Sequence, residues 1–183
     1  MKILYVALDQ RVPGTTGGSV HVTSVADGLA ALGHDVDVLT APGDGPFPAG
    51  QVQWHAMSPP FGMRHLRGLR AAAVARMAYR VGAEVVIERY HNFGGEGIRA
   101  ADAIDGLAVL EVNAPVIDYP GSPKAWLDRL LVVEPMRRWR DWQCRRADLV
   151  ITPTADIIPP FVAPDRIVEI EWGADTETFR PGA

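Results

Sequence analysis

Short apolar runs alternate with helical hydrophobic patterns along almost the whole chain, and this constrains the fold more than any other feature. Lys2–Leu8 reads as a buried strand, ended by Asp9 and then Pro13-Gly14. A helix capped by Ser19 follows, with Val22, Val25, Leu29 and Leu32 at helical spacing and Gly33 as its stop. Strands are then expected at Asp35–Leu39 and Val52–Met57. A helix is expected over Arg64–Val81, with Leu66, Leu69, Ala73 and Met77 on one face. Glu84–Tyr90 holds a strand, Gly95–Ile104 a short helix and Leu107–Val112 another strand, ended by Asn113-Ala114-Pro115. After a Pro- and Gly-rich loop, Asp118–Pro123, a long helical pattern spans Lys124–Arg146 with Pro135 as an interruption. Leu149–Thr152 and Ile167–Glu171 close the series as strands, with a broken turn at Ala155–Phe161 between them. Continuous apolar strands alternating with helices predict an α/β domain whose parallel sheet is covered on both faces. Right-handed crossovers bring the strand-to-helix loops to one edge, where such folds bind ligands. The residues to weigh are therefore Asp9 to Ser19, Glu88 to Gly95, Glu111 to Pro115 and Thr152 to Asp156.

Composition narrows the function. The 183 residues suit one domain, and 48% hydrophobic with 22% charged residues excludes disorder. A net charge of −4 argues against general nucleic-acid binding. The single cysteine, Cys144, allows no internal disulfide and no cysteine-based metal site, which fits a reducing, cytoplasmic compartment. No apolar run reaches membrane-spanning length, and the N-terminal one is too short for a signal peptide. Gly14-Thr15-Thr16-Gly17-Gly18 lies between the first strand and the first helix. Glycines there permit close approach of an anion to helix N-terminal amides; the alternative is a flexible surface loop. The glycine spacing is wrong for a nicotinamide-nucleotide fingerprint, and the second strand ends Leu39-Thr40-Ala41-Pro42 without the acid that would hold a ribose. No Gly-Lys-Ser/Thr occurs, so a P-loop is absent; nor is there a Gly-x-Ser-x-Gly elbow to support a hydrolase. His55 and His65 have no metal-ligand partners at helical or turn spacing. His91, beside Tyr90 at a strand end, is placed in the crevice, against a surface position as the alternative.

Several segments together resemble the GT-B glycosyltransferases of the family 4 type. They are the Met1-Lys2-Ile3-Leu4 strand, the Gly17-Gly18 loop, and a helix running from His21 through Leu29-Ala30 and Leu32-Gly33-His34-Asp35-Val36 into a strand. Glu84-Val85-Val86-Ile87-Glu88-Arg89-Tyr90 and Leu110-Glu111-Val112-Asn113-Ala114-Pro115 are similar to motifs of one branch. Trp172-Gly173-Ala174-Asp175 with Phe179-Arg180-Pro181 is similar to the segment that crosses to the family's second domain. The resemblance implies a Rossmann-like, doubly wound N-terminal domain that binds the acceptor, facing a C-terminal domain that holds a nucleotide-diphosphate sugar. It implies a retaining transfer without metal or cofactor. It also implies that Gly17 and Gly18 approach the donor diphosphate, where a β-carbon would block it or forbid a positive φ, and that Glu88, Arg89, Tyr90, Glu111 and Asn113 line the cleft, with Glu111 and Asn113 as the catalytic candidates that orient the acceptor or transferred sugar. Asn113 stands where many members carry a histidine, and an amide bonds a sugar hydroxyl without exchanging a proton near neutral pH. Trp172 replaces the crossover asparagine.

Over residues 1–183 the resemblance implies only the acceptor-side domain, with the donor-binding domain, and its pair of glutamates seven residues apart, lying outside them. Glu88/Glu96 and Glu169/Glu177 share that spacing and are set aside as coincidences in a chain with 22 acidic residues. The expected function is the acceptor-side half of a glycosyltransferase acting on a glycan, lipid-linked or small-molecule acceptor. The alternatives are a non-catalytic subunit that pairs with a donor-binding chain, and half of a sugar-nucleotide epimerase. Arg64, Arg67, Arg70, Arg76 and Arg80 crowd one helix with no acid among them, and Arg137, Arg138, Arg140, Arg145 and Arg146 crowd another around Trp139 and Trp142. Such clusters read either as solvated faces or as a peripheral contact with an anionic membrane at its inner face.

Overall fold

A computed structural model describes residues 1–114, 133–171 and 173. Seven strands form one all-parallel sheet: β1 (Lys2–Val12), β2 (Asp35–Pro42), β3 (Gln53–Ala56), β4 (Val85–Arg89), β5 (Leu107–Glu111), β6 (Leu149–Thr152) and β7 (Ile167–Glu169). Their order is β3-β2-β1-β4-β5-β6-β7. The chain winds outward from β1 to β3, returns to the other side of β1 as β4, and winds outward again. The strand order reverses between β1 and β4, so the crevice of this doubly wound, Rossmann-like sheet opens at their carboxyl ends. The four described α-helices are α1 (Gly17–Ala31), α2 (Ala71–Val81), α3 (Glu96–Ile104) and α4 (Val133–Arg146). The long helical pattern is therefore seen from Val133 and runs unbroken across Pro135. The Asp118–Pro123 loop, the start of that pattern, Trp172, Glu177 and Phe179-Arg180-Pro181 lie outside the described residues.

Side-chain alternation along the strands builds a core on each face. On one face Ile3, Tyr5 and Ala7 of β1 pack with Val22, Ala26 and Ala30 of α1. On the other, Leu4, Val6 and Leu8 pack with Val74, Met77 and Ala78 of α2 and with Ala100 and Ala101 of α3. A third cluster joins Ile98 of α3 and Leu110 of β5 to Cys144 of α4. The apolar stripe of α1 is thus shifted by one residue from the expected one. Val25 and Leu29 are only half-buried, and Leu32 is exposed. Thr16, not Ser19, caps α1, its hydroxyl accepting the Ser19 N–H at 3.2 Å, and β1 continues past Asp9 to Val12.

The single helix expected over Arg64–Val81 is two elements: a 3₁₀ helix, Arg64–Arg70, and then α2, which ends at Gly82 in the left-handed conformation (φ 64°). In a 3₁₀ helix residues three apart stack on one row. The row that turns inward is the basic one. Arg67 is fully buried, and Arg70 donates from Nε to the Ser58 carbonyl at 2.9 Å. Leu69, assigned above to the core face, is 73% exposed.

Arg67 ties three elements together. Its guanidinium bonds Asp9 of β1 and Glu96 at the start of α3, and lies 3.8 Å from Glu88 of β4. Glu88 in turn caps α3 from outside the helix. Its carboxylate accepts the backbone N–H of Gly95, of Gly97 at 2.9 Å and of Ile98 at 3.0 Å, because Gly95 at the N-cap offers no side chain. Burial, with Glu96 beside it, pushes the Glu88 carboxyl up to about 8, against the pull of Arg67 and the helix amides.

Two outcomes are expected from this cluster. Replacing Arg67 by Met leaves buried carboxylates without their counter-charge, and urea unfolding should show a loss of about 3–5 kcal/mol. A carboxyl raised in the folded state binds a proton that the unfolded chain has released, so stability should fall as pH rises between about 4.5 and 8. Glu88→Gln should remove that slope even though it lowers stability overall.

Candidate functional site

Strand alternation divides the residues at the crevice between the two faces of the sheet. On the α1 face, Glu111 ends β5, and its buried carboxylate collects three partners. Tyr5 donates its hydroxyl at 2.5 Å, His21 of α1 contacts the other oxygen through Nε2, and the Asn113 amide stands 3.4 Å from the same imidazole nitrogen. Burial alone would raise the Glu111 carboxyl. The hydrogen bonds from His21 and Tyr5 outweigh it, and the group titrates below its ordinary range. The same carboxylate and burial push the Tyr5 phenol well up, so it remains a donor at any working pH. Arg89 is close enough to Tyr5 to pull its phenol the other way, and its Nη1 is buried without a hydrogen-bond partner.

This cluster opens onto a cavity of about 580 Å³. His21, Glu111 and Asn113 form its polar end, while Val25, Leu29 and Ile151 supply apolar wall. The volume is that of a small-molecule site, and so is the mixture of apolar wall with a few convergent polar groups. The two predicted catalytic residues, Glu111 and Asn113, are thus brought together with Arg89 nearby. His21 was missed as a site residue. Its signal was present in the helix period: His21, Val25 and Leu29 fall at i, i+4 and i+8, on a stripe beside the buried Val22-Ala26-Ala30 row.

The other predicted cleft residues go elsewhere. Glu88 and Tyr90 point to the opposite face from Arg89, as strand alternation requires. Glu88 is fully buried in the Arg67 cluster, so its role is to anchor α3 and not to meet a ligand in the cavity. Glu96, set aside above, meets it there through Arg67. Tyr90 packs into the third core cluster and donates to Asn92 Oδ1 at 3.0 Å. His91 follows in the loop, half-buried, and its Nδ1 accepts the Phe93 N–H at 3.3 Å. Burial and the nearby Arg67 lower it to about 4, so it stays neutral with its proton on Nε2.

Gly17 and Gly18 begin α1 beside the crevice, and neither adopts a positive φ, contrary to one reason given for them. A β-carbon on Gly17 would meet nothing within 4 Å. One on Gly18 would lie 2.0 Å from Gln10 Oε1. The small size of Gly18 therefore makes room for a side chain of this same protein. Gln10 is held by Asp9, and Asp9 by Arg67, so a continuous polar chain links the buried guanidinium to the glycine loop. Among the described residues no group of three or more His, Cys, Asp or Glu could hold a metal ion.

The Trp-rich basic helix is engaged locally. Trp139 and Trp142 stack at 4.8 Å with Arg99 over both rings, Arg146 pairs with Asp102 at 2.6 Å, and Arg145 lies over Phe161.

Among solved structures, sucrose-phosphate synthase from Thermosynechococcus elongatus matches with a TM-score of 0.76 and 15% identity, over 98% of this chain and 50% of that one. A glycosyltransferase from Rickettsia africae matches with a TM-score of 0.60 and 15% identity, over 98% and 45%. Phytolacca americana UGT2, complexed with UDP-2fluoro-glucose and pterostilbene, gives 0.56 and 12%, over 94% and 52%. The chain thus spans about half the length of these structures, which share its fold. No curated protein matches it in sequence. The family model described as Glycosyltransferase Family 4 matches residues 15–178, from the glycine loop past β7, and the chain belongs to that family.

Proposed function

We propose that this chain is the acceptor-side half of a glycosyltransferase that moves a sugar from a nucleotide-diphosphate donor to a glycan, lipid-linked or small-molecule acceptor. The observation that carries the reading is the Glu111–His21–Asn113 group at the polar end of a cavity beside the reversal of strand order. No packing need explains a buried, ionised carboxylate and an imidazole there, and both can grip sugar or acceptor hydroxyls. Structures that share the fold are described as bound to UDP or a UDP-sugar, which supports a nucleotide-sugar donor. A donor-binding domain opposite this one accords with their being about twice as long.

In this reading the transfer proceeds with retention and without a metal. The anomeric carbon's bond to phosphate breaks as its bond to the acceptor oxygen forms, and the acceptor's proton leaves on the phosphate. Stabilisation of the departing diphosphate is electrostatic. Gly17, with open space above its backbone at the start of α1, is the contact for that diphosphate, and Gly18 holds the loop's shape through Gln10.

The test is kinetic and uses the protein together with its donor-binding domain. Glu111→Gln, His21→Ala and Asn113→Ala should each lower kcat/KM on the order of tenfold or more, with a cooperative thermal transition retained in each as the check on folding. Gly18→Val should lower it by displacing Gln10, and a chelator should leave the rate unchanged. Wild-type turnover in all four variants would remove the basis for placing the reaction in this cavity.

A further inference from the structure

Tyr5 is the polar residue of an otherwise apolar row. On the α1 face of β1 its neighbours are Ile3 and Ala7, and its side chain is fully buried. A phenylalanine would fill the same space, so packing does not call for the hydroxyl, and a buried hydroxyl requires a partner. That partner lies two strands away. Tyr5 stands opposite Ile87 of β4, and β4 separates it from Glu111 of β5. Neighbouring strands lie about 4.8 Å apart, so a serine or threonine at this position could not reach. The phenol extends over β4 and donates to Glu111 Oε2 at 2.5 Å. Glu111 Oε1 is left for Nε2 of His21. The groups that face the carboxylate are therefore Tyr5 from β1, His21 from α1 and Asn113 beyond β5. Arg89 of β4 lies close to the phenol, and Glu171 stands on the wall of the same cavity.

We propose that Tyr5 is a positioning residue for the transfer: through Glu111 it fixes the proton and the direction of the His21 imidazole at the polar end of the cavity. The proposal rests on the transferase reading above. Tyr5 can only donate here, because burial and the neighbouring carboxylate hold its phenol protonated. A carboxylate that accepts on Oε2 keeps Oε1 in a set direction, and it stays ionised against its own burial. An ionised Oε1 accepts and cannot donate, so a neutral His21 carries its proton on Nε2 and keeps Nδ1 as its lone pair. Without the phenol the carboxylate can turn, and its proton returns at a higher pH. A protonated Glu111 would present a donor to Nε2 and move the ring proton to Nδ1. That exchange reverses what the imidazole offers an acceptor hydroxyl.

Tyr5→Phe keeps the volume and removes only the donor. Carbon NMR of the chain labelled at its glutamate carboxyls, with Glu111→Gln assigning the signal, follows the carboxylate directly. Glu111 should titrate about one to two pH units higher in Tyr5→Phe than in the wild type, the effect of one lost hydrogen bond to a charged group. In the protein together with its donor-binding domain, the acid limb of kcat/KM should rise by the same amount. Difluorotyrosine placed at position 5 is a stronger donor of nearly the same shape, and it should move both midpoints down. That arm decides the matter should Tyr5→Phe not fold. A tyrosine with a structural role alone would lower the thermal midpoint in Tyr5→Phe and leave the acid limb where it was. Such a result overturns the proposal, as does a Glu111 titration indifferent to both substitutions. Glu111→Gln separates the two readings. Wild-type turnover in that variant removes the transferase reading of this cavity and the role of Tyr5 with it. A slowed Glu111→Gln beside unmoved Tyr5 variants removes the role of Tyr5 alone.

Discussion

A guanidinium with no access to solvent sits at the point where this sheet reverses its strand order. Arg67 reaches Asp9 after the core of β1, Glu96 at the head of α3 and, at 3.8 Å, Glu88 of β4. Bringing a guanidinium and three carboxyl groups out of water is expensive, and an apolar cluster of equal volume would serve stability at least as well. The arrangement makes physical sense as a spacer. The crevice between β1 and β4 must stay open at its carboxyl end, where an apolar filling would draw the two loops together. A polar bridge spans them instead and, through Asp9 and Gln10, continues to the glycine loop.

The two faces of the sheet then take different duties. The face toward α2 and α3 carries the closed network of Arg67, Glu88 and Glu96, in which every charge is buried. The face toward α1 carries Glu111, His21 and Asn113, whose polar atoms border a cavity. One residue of β4 separates them, since Glu88 belongs to the first group and Arg89 to the second. Rigid support and an accessible site thus lie back to back across a single strand.

The sheet was legible in the sequence because each strand is a compact apolar run closed by Gly, Pro or Asp, and the parallel arrangement follows from the alternation itself. Glu111 and Asn113 were legible because a strand end at the crevice edge is a fixed place. What was not legible depends on tertiary distance. Glu88, Arg89, Tyr90 and His91 form one polar string in sequence, and only the pleat shows that they serve different faces. Arg67 and Arg64 are alike in sequence, and burial alone separates the bolt from the surface charge. His21 sits among helix residues whose exposure differs by one step of the period, so its pairing with Glu111, ninety residues away, has no local mark. The basic segment was legible in charge and illegible in orientation, since Arg67 turns inward while Met63 and Leu69 face outward.

The capping of α3 by Glu88 has an evolutionary consequence. Most helices are closed by a residue of their own first turn, so a change in the preceding loop risks the helix itself. Here the closing carboxylate belongs to the strand, and the loop between, Tyr90 to Gly94, is pinned at both ends by groups that do not depend on its interior sequence. Its middle residues can therefore drift, or be exchanged between relatives, without disturbing strand or helix. A domain built this way can vary the side chains of His91, Asn92 and Phe93 while its framework stays under unchanged selection.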